Sequence, residues 1–377
     1  MRRTVLQGFA ALFSLVFLPS IVRAADGTLR VATWNVTDYG GAGARDAHFQ
    51  NVFYGTFEGR QFAPDVLLGQ EFLSQAAVTS FVNLLNSAAG SPGDWAAAPF
   101  LNGPDTDSAL FYRTSKIAYL STSIVSTGGV NPEPPRNTYR YDVRILGGAE
   151  DSQLALYSTH MASQSNPSSR RLIEAQRIRE DAESLAPGTH FLIGGDFNIT
   201  SSFDAAYIEL TGSQANDAGR FFDPIETPGD WNNNAAYRFV HTQAPGLGTN
   251  TGGMDDRFDF LLTSASLGDG TGWDYVGAFG VPYSATSWDD FNHSYRVWGN
   301  DGTSFNTSLT TTGNQMVGQS IAQSLVATAP NGGHLPVFMD LRFNAVAVPE
   351  PGTGALLALG GLLLLAASGR LARRRDA

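Results

Sequence analysis

Asp196 and Asn198 stand at alternate positions directly after the apolar run Phe191–Ile193 and the pair Gly194-Gly195. In an extended chain alternate side chains point the same way, so a carboxylate and a carboxamide emerge together where a strand ends. That pairing can orient a water and hydrogen-bond a phosphoryl oxygen. Taken by itself the segment serves equally well as a strand-to-loop turn. Other apolar stretches repeat the form. Leu29–Val36 delivers Asn35, Pro64–Glu71 ends in Glu71, Leu154–Thr159 delivers His160, and His334 stands immediately before Leu335–Leu341. Asp259 lies among Phe258, Phe260 and Leu261, where a buried carboxylate needs a partner, either a histidine or the nearby Arg257. Glu71 reads equally as a hard-cation ligand or as an acid at a helix N-terminus. Asn35 alone reads as a loop-starting residue, and His160 alone as a structural histidine.

The elements that must position these groups alternate between strands and helices. Ser74 to Ala88 carries Val78, Phe81, Leu84 and Leu85 at helical spacing. Ser108–Arg113 and Ile117–Leu120 suggest a hairpin, followed by an exposed loop at Asn131–Arg136. Tyr139–Leu146 and Leu154–Thr159 read as paired strands. A helix from Ser169 to about Leu185 bears Arg170, Arg171, Arg177 and Arg179, taken as a solvated face, and Ser202–Leu210 is a short helix. Residues 211–253 read as substrate-side loops with a structural His241, and 264–330 as a polar insertion.

Composition narrows the function. The chain of 377 residues is 42% hydrophobic and 16% charged, enough apolar matter for a core and unlike a disordered chain. Its net charge of -11, with Lys116 the only lysine, excludes tight non-specific coating of nucleic acid. A carboxylate-rich cleft holding a divalent cation remains compatible, since the cation brings positive charge locally. There is no cysteine, so disulfides, thiolate zinc sites and cysteine nucleophiles are excluded.

Both ends read as addresses. Arg2-Arg3, the apolar run Val5–Leu18 and Val22-Arg23-Ala24 are laid out as a secretory signal over residues 1–25, with a faint twin-arginine likeness. Val348-Pro-Glu-Pro351, the apolar stretch Ala355–Ser368 and the terminal arginines resemble the PEP-CTERM sorting signal over residues 346–377. That resemblance implies export in a Gram-negative bacterium, transient inner-membrane anchoring through the tail, and removal of the tail by an exosortase-type sorting enzyme. The destination would be the outer surface or extracellular matrix.

In order, Thr-Trp-Asn35-Val, Gln-Glu71, Thr-His160, Gly-Asp196-Phe-Asn198, Arg-Phe-Asp259-Phe and His334-Leu-Pro-Val resemble the motif series of the endonuclease/exonuclease/phosphatase superfamily, the deoxyribonuclease I-like hydrolases. The resemblance covers roughly residues 28–343 of a domain set at 26–345, with 264–330 inserted. It implies an α+β fold, a four-layer α/β/β/α sandwich of two packed mixed sheets with outer helices. It further implies that Asn35 and Glu71 bind Mg2+ or Mn2+, with Ca2+ as an alternative, and that Asp196 orients or deprotonates the attacking water. Asn198 would hold the phosphoryl group or that water, His160 and His334 would contact the phosphate, and Asp259 would orient His334. Family members commonly carry Asp just before the last histidine; here it is Gly333, and Asp255, Asp256 or the insertion would have to compensate. The expected function is a secreted, monomeric, metal-dependent phosphodiesterase, an endonuclease on extracellular nucleic acid. The alternatives are a sphingomyelinase-like phospholipid phosphodiesterase presenting Trp288, Phe291, Tyr295 and Trp298, a phosphomonoesterase, or a matrix or adhesion protein that kept the fold without catalysis.

Overall fold

The computed structural model describes residues 27–146, 152–246 and 252–344. The signal and tail segments expected at 1–25 and 346–377 lie outside the described residues, apart from which no helix is long and apolar enough to cross a membrane. Two mixed sheets pack face to face. The first follows the order β10 (Gly272–Tyr275), β12 (Val337–Asn344), β1 (Thr28–Tyr39), β2 (Val66–Phe72), β4 (Asp107–Arg113), β3 (Trp95–Ala97), with β11 (Arg296–Val297) also on β12. The second runs β5 (Ile117–Ser126), β6 (Thr138–Ile145), β7 (Gln153–His160), β8 (His190–Asp196), β9 (Asp259–Thr263). β1 and β2 are parallel, as are β7 and β8; the remaining pairs are antiparallel.

Alternation along the strands fills three apolar layers. On β8, Leu192 joins the core between the sheets, while Phe191 and Ile193 face the helix side. There they meet Ala175, Ile178 and Ala182 of α3 (Ser168–Glu183) and Ala206 and Leu210 of α4 (Ala205–Thr211). On the opposite outer face, Trp34, Tyr39, Phe72 and Phe111 stack edge-on or tilted against Phe49 of α1 (Asp46–Tyr54) and Phe81 of α2 (Gln75–Ser87). Ser74 starts α2 as expected, its hydroxyl accepting the Ala77 N–H.

Four sequence expectations change. Ser108–Arg113 and Ile117–Leu120 do not pair as a hairpin: β4 belongs to the first sheet and β5 to the second, so the turn between them crosses the sandwich. The stretch 264–330, read as a polar insertion, contributes to the sheet and to the core. It supplies β10, β11 and α5 (Gly318–Thr328), and buries Trp273, Tyr295, Trp298, Ile321 and Leu325. The α3 arginines are not a solvated face either; Arg170, Arg171 and Arg179 are buried and donate to loop carbonyls such as Glu133 O, Ala162 O and Gly212 O. Finally, Tyr295 and Trp298 are core residues, leaving Phe291 as the fully exposed aromatic of the proposed lipid-facing set.

Candidate active site at the shared strand edge

Register places the polar groups in rows. Across the second sheet His160 pairs with Asp196, and Asp196 with Asp259, so three functional side chains sit abreast on adjacent strands. In the first sheet Asn35 pairs with Gln70, and the β1–β2 register then shifts. That irregularity gives Thr37, Asp38 and Glu71 positive φ. It turns the Glu71 carboxylate inward, where Oε1 accepts Asn35 Nδ2 at 2.8 Å and Oε2 accepts the Asp38 N–H at 2.9 Å. Glu71 is therefore part of the cluster and not a helix-terminal acid.

The sheets can close beneath the site because β8 carries no side chains at 194 and 195. A Cβ on Gly194 would lie 2.7 Å from Leu261 Cδ2 and 3.0 Å from Thr33 Cβ, and one on Gly195 would strike the Thr159 carbonyl. The glycines thus serve the packing of β8. Under the cluster lies a polar floor: Gln70 Nε2 donates to Ser158 Oγ across the sheets at 3.1 Å and to Leu68 O at 2.9 Å. Arg45 ties the β1 bulge to the end of α5, its Nη1 donating to Val36 O and Thr37 O at 2.8 Å and to Thr328 O at 3.1 Å.

Asp196 is the hub. Its Oδ2 lies 3.1 Å from Asn35 Nδ2, 3.3 Å from His160 Nε2 and 3.5 Å from His334 Nε2, while Oδ1 accepts the Asn198 N–H at 3.0 Å. Asn198 has left-handed φ and donates through Nδ2 to Met161 O at 3.1 Å. His334 Nδ1 donates to Asp259 Oδ2 at 2.7 Å, and Trp34 Nε1 anchors the His334 carbonyl at 3.0 Å. Arg257, the competing partner for Asp259, is instead paired with Asp223 at 2.8 Å between the Trp231 and Phe260 rings. All seven sequence-assigned residues therefore converge. His241 stays structural, buried between the Trp231 and Met254 carbonyls.

Electrostatics separates the two histidines. Burial, reinforced by the Arg136 and His334 cations, holds His160 well below the ordinary imidazole value, so it is neutral. Burial also disfavours the His334 cation, but the Asp259 and Asp196 carboxylates overcome this and raise it to about 10. Burial pushes Asp196 up to about 7 against the opposing His334 charge. The surroundings thus favour the cation at His334 and the neutral ring at His160, and make the Asp196 carboxylate more basic than usual.

Asp196, Asp259 and His334 present ligand-type atoms within 4.8 Å of one another. The Asp259–His334 pair is already joined by a 2.7 Å hydrogen bond that a cation between them would break. The better fit is on the other side of Asp196. There Glu71 and Asn35 supply hard oxygens, and the buried His160 Nδ1, 3.8 Å from Glu71 Oε1, has no hydrogen-bond partner. For Asn35 this requires its carboxamide oxygen, which now accepts the Thr37 N–H at 3.0 Å, to turn toward Glu71. Gly333 has φ +54, and a Cβ there would fall 2.6 Å from Ala329 Cβ and 3.0 Å from Thr37 Oγ1, so a carboxylate has no room. Asp255 and Asp256 do not replace it in the cluster; Asp256 Oδ1 accepts Asn232 Nδ2 at 2.8 Å.

Sequence reasoning missed Gln70, Ser158, Arg45 and Gln243. The Gln243 Nε2 lies 3.2 Å from His334 Nε2, on a segment whose only sequence signal was its turn-rich composition.

No protein-family model matches the chain, and no curated protein matches it. Solved structures do. D. rerio TDP2 complexed with a single-strand DNA product is 14% identical over 85% of this chain and 100% of that one, with a TM-score of 0.50. The human Nocturnin catalytic domain with bound sulfate is 12% identical over 84% of this chain and 95% of that one (TM-score 0.46). An endonuclease/exonuclease/phosphatase family protein from Bacteroides thetaiotaomicron is 13% identical over 85% and 99% (TM-score 0.46). The architecture expected from the motif series is the one observed: this chain has the α/β/β/α sandwich fold of the endonuclease/exonuclease/phosphatase, deoxyribonuclease I-like type.

Proposed function

We propose that the chain is a metal-dependent phosphodiesterase that hydrolyses nucleic acid by in-line attack of water. The observation that carries this reading is the position of Asp196 Oδ2 between two imidazoles, 3.3 Å from His160 Nε2 and 3.5 Å from His334 Nε2. Asp196 takes a proton from the attacking water, a task suited to a carboxylate whose basicity is raised by burial. The Asn198 carboxamide and the His160 Nε2–H orient the phosphoryl oxygens. His334, its Nδ1–H fixed on Asp259, offers the Nε2 proton to the leaving oxygen as the phosphorus–oxygen bond breaks. Glu71 and Asn35 would hold a Mg2+ or Mn2+, which would supply neutralisation of the charge growing on phosphate.

Convergence of the assigned groups argues against a non-catalytic matrix protein, because an unused site has no reason to keep a buried, electrostatically costly cluster. The burial of Tyr295 and Trp298 removes two of the four aromatics a lipid substrate would use, leaving Phe291 and the half-buried Trp288. Export, tail-mediated anchoring and sorting belong to the same proposal and rest on the sequences of residues 1–25 and 346–377 alone. The test is hydrolysis of DNA, RNA, sphingomyelin vesicles and p-nitrophenyl phosphate by the full chain with Mg2+ or Mn2+, with and without EDTA. EDTA-sensitive cleavage of a nucleic acid supports the reading; cleavage of lipid or monoester alone refutes the substrate assignment.

A further inference from the structure

The segment 127–137, between β5 and β6, ends in a cation that the mechanism does not use. α3 fixes its course: Arg170 Nη2 donates to Gly129 O at 2.9 Å, and Arg177 pairs with Glu133 at 2.6 Å. At Gly128 a Cβ would lie 2.5 Å from the Arg136 backbone, so the loop folds back tightly on itself. This presents Arg136 at the His160 side of the site. Its Nε donates to Thr106 Oγ1 at 3.2 Å, Nη2 pairs with Asp105 at 2.8 Å, and Nη1 donates to Met161 O at 3.5 Å.

The Met161 carbonyl is also the acceptor for Asn198 Nδ2. The guanidinium and the phosphoryl-orienting carboxamide are therefore no more than two hydrogen-bond lengths apart. The Arg136 charge is felt in the site, where it helps keep His160 neutral after burial has done most of this. Its carboxylate partner is a weak competitor. The Asp105 side chain is 51% exposed while that of Arg136 is 16% exposed, so the pair is open on the carboxylate side, where a phosphate can replace Asp105 on a guanidinium already held in place. A guanidinium also suits a phosphate in particular, because its planar fork binds two oxygens at once.

We propose that Arg136 is a substrate-binding residue that grips the phosphate flanking the scissile one in a nucleic-acid strand. It makes the site selective for a polyphosphate strand over an isolated diester. This rests on the phosphodiesterase reading above. In a chain so acidic, a cation beside the cleft offsets the repulsion that an incoming strand meets. Strand binding then carries a salt dependence to which Arg136 contributes about one counterion.

The full chain with Mn2+ is assayed on bis(p-nitrophenyl) phosphate, which has no flanking phosphate, and on a short oligonucleotide, for the native protein, Arg136→Ala and Arg136→Lys. The expected result is that Arg136→Ala loses at least about tenfold more kcat/KM on the oligonucleotide than on the isolated diester, mainly through KM, with a shallower salt slope. Arg136→Lys recovers part of the difference. Equal losses on both substrates would show a merely structural residue and overturn the proposal, as would an unchanged oligonucleotide KM. If the native protein cleaves the isolated diester but not the oligonucleotide, Arg136 has no such role while the diesterase chemistry stands. If it cleaves neither, the phosphodiesterase reading falls first and this inference with it.

Discussion

Replacing Asp259 by Asn isolates the part of the site that sets the charge of His334. The carboxylate is fully buried and accepts the Nδ1–H at 2.7 Å, and it heads the groups that favour the imidazolium. Raising a histidine from its ordinary 6.5 to about 10 corresponds to roughly 5 kcal/mol in favour of the cation, at about 1.4 kcal/mol per tenfold. Asp196 supplies the next contribution and survives the substitution. The share lost with Asp259 is therefore roughly 2–3 kcal/mol, about two pH units, which leaves His334 a cation at neutral pH but brings its deprotonation, and the slowing of a step that needs its proton, down to about pH 8. Asparagine keeps the shape, so the fold should hold. The assay is steady-state turnover of a phosphodiester across pH, beside nitrogen-detected NMR titration of the His334 ring. Expected are a kcat that slows toward alkaline pH and a His334 that deprotonates at lower pH. Wild-type turnover with an unchanged His334 titration would refute the reasoning.

Other substitutions test separate links. Glu71→Gln keeps the side-chain volume but removes a hard anionic donor, so Mn2+ affinity by calorimetric titration should fall at least about tenfold; unchanged affinity would place the cation elsewhere. Asp223→Asn leaves Arg257 buried without its carboxylate and should cost about 3–5 kcal/mol in urea unfolding, far more than loss of an exposed pair. His241 is held at about 4 by burial, whereas the unfolded ring titrates near its ordinary 6.5. Between those values the unfolded chain binds the additional proton, so stability falls as pH drops below about 6.5. Unfolding free energy should lose about 2 kcal/mol between pH 7.5 and pH 5 through this residue, and His241→Gln should remove that part of the pH dependence.

What the sequence disclosed was set by how local the physics is. The ends of β1, β2, β7 and β8 announced Asn35, Glu71, His160 and Asp196 because a short apolar run closed by a polar group is written in neighbouring residues. The choice of Asp259's partner was not local. It was decided by Asp223, distant in sequence, which takes Arg257 into a ring-lined pocket and leaves Asp259 to His334. The β4–β5 hairpin misled because a short turn between two strands looks the same whether it joins neighbours or crosses between sheets. The segment 264–330 misled because its Gly, Ser, Thr and Asn residues serve turns and internal polar links. Its widely spaced Trp273, Tyr295, Trp298 and Ile321 make the core without any visible period. Gln243 and Arg136 were invisible as site groups because only tertiary contact aims them at His334 and Met161.

The most direct measurement is nicking of plasmid DNA by the full chain in Mg2+ or Mn2+, comparing the native protein with Asp196→Asn. The asparagine preserves the contacts with Asn35 and His160 in outline but cannot take a proton from water. Metal-dependent nicking by the native protein, reduced at least about a thousandfold in Asp196→Asn while Mn2+ still binds, is the expected result. Nicking that persists undiminished in Asp196→Asn would contradict the assignment of Asp196 as the group at the centre of the chemistry.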